Sequence, residues 1–502
     1  MPLFLSRAAL AALVFGVLLA VYSSSRGPLP TWDAYANVFP ALSLVNDGDF
    51  VLAPTEIPFL FDWSLPASGR RLQVPVWDRM VIDGRPAAEL YREGKLRPEG
   101  SPYYFVVRTP TGEYVGSEPP GTAVVAAPFY AALALPDVAR SLRDVRPLVE
   151  KNGLVAAVLT AATAAILFLT AARFLDTGRA LLVAAIFGLG SCAWSLGSQA
   201  LWAQAGMQPF LALGIDQFLR IRDRRGHALV AGLALGAAVA CRSTSLVVLA
   251  ALGLHLLATD RKSLVLVVAG ALAPLAGLAA YNLRYFGSPL VEAHALMGPA
   301  VALRKTGVAD LWQTPLWEGA LGLLASPGRG LLVYSPVLVL AFVGAWRVVR
   351  GRADRAFLPI VAAAAAIMVV RFKWFDWWGG YSYGYRPLMD AIVPFAVLLI
   401  PALAAARPTA LRRAAVAAAL AWSVFVQWVG TAYDSDSWDR HGGFDRRVTR
   451  SIDEPRWRER LWSIGENPIV FYWRHRAEAV ARREASLAEF ARTPFEVRRP
   501  TP

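Results

Sequence analysis

Cysteine is scarce in this chain of 502 residues: Cys192 and Cys241 are the whole complement, and both sit in apolar runs. A disulfide framework is therefore excluded beyond one bridge, and so is any CxxC redox or zinc motif. Histidine is nearly as rare, with five residues scattered and none in an HExxH pattern. Metal ligation by His or Cys is not expected. Acids are almost missing from the apolar runs: Asp216 lies near one end of a run and Asp390 near an end of another. Ion-coupled transporters use buried ionisable groups as relays, so their scarcity argues against that class. No zinc-finger or other nucleic-acid signature occurs, and the arginines fall in short clusters between apolar runs, not along one soluble face. No nucleic-acid partner is expected.

What the chain has in excess is apolar residue, 56% of the total, with mean hydropathy +0.42. That exceeds the ordinary share of a soluble domain. Apolar runs lie near 5–22, 121–136, 150–172, 180–196, 199–218, 227–241, 243–258, 264–283, 330–346, 356–371, 388–405 and 412–430. Most reach the length needed to cross ~30 Å of hydrocarbon. The first is read as a membrane helix, since AVYSSSRG after it offers no good small-x-small cleavage site. Basic loops at 173–179, 220–226, 260–262, 347–355 and 407–413 are placed inside, which accounts for the formal net charge of +14 as topology. The runs then alternate if 121–136 does not cross. That run is short, opens with PPG and contains Pro128, so it reads as an interfacial or re-entrant helix. The expectation is an all-α polytopic membrane protein of about eleven crossings, with interfacial helices in the first outer loop. Residues 1–430 form the membrane module, with outer loops 23–149, 284–329 and 373–387. Residues 431–502 form a polar outer tail with a helical stretch at 477–492.

Polar and aromatic groups collect on the outer side. Asp33 follows the first run in PTWDAYANVFPALSL, where it or Thr31 could cap a helix over 34–45, or serve as a base at the water–lipid boundary. KWFDWWGGYSYGYRPLMD (373–390) carries Lys373, Asp376, Tyr383, Tyr385 and Arg386 among tryptophans and three glycines. An interfacial aromatic belt explains the rings but not the glycines, which allow close backbone approach to a ligand. Aromatic faces suit sugar rings, and arginine pairs with phosphate through its planar fork. Arg329 in ASPGRGLLVYSP reads either as a loop-to-helix junction or as a phosphate contact with backbone N–H groups. Arg242 in CRSTS reads either as snorkelling or as a phosphate contact. Asn282 and Arg284 begin an outer loop in YNLRYFGSPL, and Trp202 and Gln204 lie in the outer turn SQALWAQ. Arg140, Arg143 and Arg146 are either a solvated face or further phosphate contacts.

Together, TWDAYANVFPALSL, EPPGTAVVAAPFYAAL, SQALW, GLALGAAVACRST, YNLRYFGSPL, SPGRGLLVYSP and WWGGYSYGYRPLMDAIVPF resemble the GT-C superfamily of membrane glycosyltransferases, in their order and spacing along most of the chain. The likeness is to bacterial relatives of protein O-mannosyltransferases and of the aminoarabinose lipid A transferase (family 39-like). The resemblance implies a multi-pass inner-membrane enzyme with its site on the extracytoplasmic side. It implies a polyprenyl-phosphate sugar donor and a hydroxyl acceptor on a glycan, lipid or protein. Asp33 matches the acid that activates the acceptor or coordinates a metal, with inversion expected. Many members have an adjacent acid pair where residue 34 here is Ala, and often a His where this chain has Gln204. One carboxylate makes a poor divalent site, so a possible divalent cation would need Asp47, Asp49, Glu118 or Asp376 as a second ligand. Arg242, Arg329 and Arg386 are the candidates to hold the phosphate. A lipid-linked-sugar flippase and a non-catalytic envelope-assembly protein are the competing classes.

Overall fold

The computed structural model describes residues 6–25, 32–54, 57, 60–73, 81–99, 105–133, 142–404, 409–440 and 451–491. The chain is an all-α polytopic membrane protein. Among the described residues, six helices are long and apolar enough to cross a bilayer: Arg7–Ser24, Lys151–Ala171, Arg261–Phe286, Arg355–Lys373, Arg386–Leu403 and Ala410–Tyr433. Shorter apolar helices include Thr177–Gly188, Gly226–Cys241, Ser245–Thr259 and Pro336–Val349. Ala203–Leu219 completes the set of segments that coincide with the expected spans. Where two helices run side by side, small residues let the backbones meet. A Cβ added at Gly232 would lie 1.9 Å from the Val267 carbonyl oxygen, so Gly226–Cys241 and Arg261–Phe286 pack closer than any side chain allows.

Gly121–Ala132 has 12 residues and is about 18 Å long. It packs on Trp32–Asn46, the helix of the first expected outer loop, and against the end of Gly226–Cys241, where a Cβ at Gly121 would meet the Ala240 carbonyl carbon at 2.4 Å. The reading of 121–136 as a non-crossing segment agrees with this, within the described residues up to 133.

The first outer loop also holds structure that the helix periodicity did not suggest. Strands Asp62–Leu65, Arg70–Gln73 and Arg97–Glu99 make a three-stranded antiparallel sheet, and two short hairpins join Val81–Ile82 to Arg85–Pro86 and Val106–Arg108 to Tyr114–Gly116. The first hairpin turns on Asp83-Gly84, both with positive φ, the pairing that a tight two-residue turn demands.

The basic loops converge at one end of the bundle. Arg173 pairs with Asp223 at 2.7 Å, Arg222 with Asp354 at 2.8 Å and Arg225 with Asp260 at 3.6 Å. The segments expected outside meet at the other end. There the tail packs down on the 374–385 loop: Leu461 covers Gly328, Trp462 lies 6.0 Å from Trp377, and Asp453 accepts from the Trp378 indole N–H at 2.9 Å. The helical stretch expected at 477–492 is the helix Arg476–Ala491.

Candidate functional site

At the end of the bundle where the segments expected outside meet lies a six-residue 3-10 turn, Arg386–Ala391, opened by the Arg386-Pro387 pair. Such a turn rises about 2 Å per residue. Arg386 and Asp390 are therefore about 8 Å apart along it, and each anchors a charge network.

At the first end, Arg386 forms an ion pair with Asp33, 353 residues away in sequence. Its other terminal nitrogen donates to the Gly379 carbonyl at 2.7 Å, and its guanidinium stacks 4.7 Å from the Trp202 ring centroid. Asp33 stands in the first turn of Trp32–Asn46, so it is a helical residue and not the N-cap; Thr31 lies outside the described residues. A carboxylate there gains from the partial positive charge of the helix start. Asn37, one turn on, donates to the Leu201 carbonyl at 3.0 Å and ties this helix to the SQALW turn. Both partners remain partly open, the Asp33 side chain 26% exposed and Arg386 21%.

At the second end, Asp390 accepts from Thr244 at 2.9 Å and pairs with Arg371, while its other oxygen lies 3.6 Å from Nε of Arg242. Arg242, just past the end of Gly226–Cys241, also pairs with Glu118 at 2.8 Å. His294 lies 4.0 Å from the other Glu118 oxygen, and Ser243 donates to Glu292 at 2.6–2.7 Å. Asp390 is fully enclosed, whereas Arg242 is 18% exposed and Glu118 15%. Buried charges need partners, which accounts for the tight pairing here.

The structure brings together Asp33, Arg386, Trp202, Glu118 and Arg242 from the residues singled out in sequence. Gln204 is buried one residue into the helix that begins after Trp202. Others go elsewhere. Arg329 is wholly enclosed and spends its donors on the carbonyls of Trp378, Gly328 and Gly380 and on Asp439, so no phosphate reaches it here. Tyr383 and Tyr385 are core residues: Tyr383 donates to the Val426 carbonyl, and Tyr385 accepts from the Cys192 N–H and meets Ser335. Trp377 and Trp378 are also covered, by the tail, while Trp374 and Tyr381 stay partly open. Asn282 is buried and closes its own loop by donating to the Pro289 carbonyl. Asp376 pairs with Lys305 at 2.9 Å, away from Asp33. Lys373 is half-buried at the end of its helix. The side chains of Arg140, Arg143 and Arg146 lie outside the described residues.

The acids offered as a second metal ligand do not join Asp33. Asp49 accepts from Ser43 and the Val51 N–H at the far end of the helix, about 20 Å away. Glu118 and Asp376 are held by Arg242 and Lys305. Among the described residues no group of three His, Cys, Asp or Glu is placed to hold a metal ion. Reading the sequence missed Arg371, Thr244, Lys305 and Asp439 and gave Asp390 no role. The available signal was Asp390 itself, a lone acid in an apolar run, four residues from Arg386.

No known protein family and no curated protein matches the chain. Among solved structures, ArnT from Cupriavidus metallidurans bound to undecaprenyl phosphate aligns over 96% of this chain and 76% of its own, with 12% identity and a TM-score of 0.46. The same protein in the apo state gives 13% identity and 0.46. The archaeal oligosaccharyltransferase AglB from Archaeoglobus fulgidus, in complex with an inhibitory peptide and a dolichol-phosphate, aligns over 90% of this chain and 59% of its own, with 12% identity and a TM-score of 0.48. These are loose likenesses in helix arrangement, and they place no side chain.

Proposed function

We propose that the chain is a lipid-carrier-dependent glycosyltransferase of the GT-C type. It takes a sugar from a polyprenyl-phosphate donor at the extracytoplasmic face of the inner membrane and passes it, with inversion, to a hydroxyl of a glycan, lipid or protein. The observation that carries this reading is the half-open Asp33–Arg386 pair on Trp202, beside the Arg242–Glu118 pair. A base and two phosphate-seeking cations stand at one end of a bundle whose apolar flanks suit a prenyl chain.

The pairing also dictates an order of events. A carboxylate held by a guanidinium is a weak base, because the cation stabilises its charged form. A donor phosphodiester offers Arg386 a bidentate partner of the same charge as the carboxylate, and that charge grows as the sugar–oxygen bond breaks. Arg386 turning to the phosphate, with Arg242 as second contact, frees Asp33. Asp33 then accepts the proton of the acceptor hydroxyl while that oxygen attacks the anomeric carbon. The bond from that carbon to the phosphate oxygen breaks, and the arginines stabilise the charge gathering on the departing polyprenyl phosphate. One displacement inverts the configuration. Exposure ranks the cations that could hold the phosphate, since Arg386 and Arg242 are reachable and Arg329 is not. The test is to supply membranes containing the protein with radiolabelled polyprenyl-phosphate sugars. Label should leave the lipid fraction only when the protein is present, and no transfer from any donor of a broad panel would contradict the reading.

A further inference from the structure

Three consecutive carbonyls lie between the aromatic loop and Arg386, and two arginines divide them. Arg329 donates from Nε to the Trp378 carbonyl at 2.8 Å and from Nη2 to the Gly380 carbonyl at 3.1 Å. The carbonyl between them, that of Gly379, receives Arg386 at 2.7 Å. Gly379 and Gly380 both hold positive φ, +74° and +62°, a backbone path open to glycine, and Gly379 is also held by its N–H to the Asp376 carbonyl at 2.9 Å and by the Ser382 hydroxyl on its carbonyl at 3.2 Å. Arg329 is in turn held from the tail. Its Nη2 pairs with Asp439, and its guanidinium lies 5.0 Å from the Trp438 ring centroid. The tail also grips the loop directly, through Asp453 on the Trp378 indole and Arg458 at 4.0 Å from the Trp378 ring.

We propose that Arg329 and Asp439 are positioning residues: they fix the 378–380 backbone so that Gly379 presents its carbonyl to Arg386 and aims that guanidinium at the Asp33 carboxylate and the incoming phosphate. This rests on the functional reading above for the identity of the ligand. A buried guanidinium must place all its N–H donors, and Arg329 places two of them on the loop, on either side of the residue that holds Arg386, so docking of the tail and aiming of Arg386 are one event. The tail thereby becomes part of the active site without touching substrate.

Two variants of the full-length protein test it. Arg329→Lys keeps the charge for Asp439 but loses the fork that spans two carbonyls. Asp439→Asn keeps the shape and removes the charge. Hydrogen exchange followed by mass spectrometry reads the 379–386 backbone directly, and binding of undecaprenyl phosphate to the purified protein reads Arg386. The expected result for each variant is exchange in 379–386 at least about tenfold faster, and undecaprenyl phosphate bound about tenfold more weakly, for the loss of one to two hydrogen bonds to a charged group. Exchange elsewhere in the bundle should hold. Unchanged exchange in 379–386, acceleration spread evenly through the bundle, or failure of both variants to fold would overturn the proposal. If the wild type does not bind undecaprenyl phosphate, the functional reading fails, and the exchange result alone decides whether the loop is positioned from the tail.

Discussion

Arg386 holds a carboxylate, a backbone carbonyl and an indole face at once. A planar fork can do this and a point charge cannot. Arg386→Lys should keep the pair with Asp33 but lose bidentate contact with phosphate. Transfer should fall by about 1.5–3 kcal/mol of transition-state stabilisation, roughly tenfold to a hundredfold. Initial rates with saturating and limiting donor would measure it, and equal rates in the Lys variant would remove Arg386 from the phosphate site. At this scale the sequence was half legible. Asp33 and Arg386 each stood out by residue type and place, but nothing in one sequence pairs residues 353 positions apart. Arg329 had the better local signal, glycines on either side, yet its burial is set by Trp438 and Asp439, more than a hundred residues on. Tyr383 and Tyr385 stand in a loop that looks open in sequence but are enclosed by residues distant in the chain, Val426 and Tyr472 for the first, Cys192 and Ser335 for the second.

Helices were legible at the scale of elements because length and apolar content define a span. The short strands of the first outer loop were not, since two- to four-residue strands carry too little alternation, although the Asp83-Gly84 turn was there to be read. The tail segment was legible as polar but not as packed. Asp434, Asp436 and Asp439 fall within six residues after Ala410–Tyr433, facing Arg329, Arg440, Arg482, Arg483, Tyr472 and Asp453. Burial pushes the Asp439 carboxyl up to about 7 despite Arg329, burial raises Asp434, and burial with repulsion from Asp434 and Asp439 raises Asp436. Between the ordinary carboxylate value of about 3.9 and about 7, the folded tail thus binds more protons than the unfolded chain. Stability should be fullest at the acid end of that window and decline as pH rises through 7. Thermal unfolding in detergent from pH 5 to 8 would show it as a falling midpoint, with a flatter profile in Asp439→Asn. A midpoint that rises over that range would contradict the account.

At the scale of the whole molecule, the arginine rule assigns the two ends of the bundle to opposite faces of the membrane. Loops expected inside are cross-linked by Arg173–Asp223, Arg222–Asp354 and Arg225–Asp260, while Asp33, Glu118, Trp202, Arg242 and Arg386 gather at the other end. Cysteines introduced at 83 and 310 should react with an impermeant reagent in intact cells, and those at 223 and 352 only after permeabilisation. The native Cys192 and Cys241 are buried and give little background. Labelling at 223 in intact cells would invert the arrangement and move the site to the cytoplasm. The central claim is that Asp33 takes the proton of the acceptor. Asp33→Asn is nearly isosteric and still accepts from Arg386, and its loss of charge at the helix start costs only about 0.3–1 kcal/mol. Transfer of labelled sugar from a polyprenyl-phosphate donor, measured in membranes beside expression level and thermal midpoint, should fall about a hundredfold or more in this variant while the protein stays folded. Normal turnover by Asp33→Asn would show that Asp33 is only the partner of Arg386 and not the base.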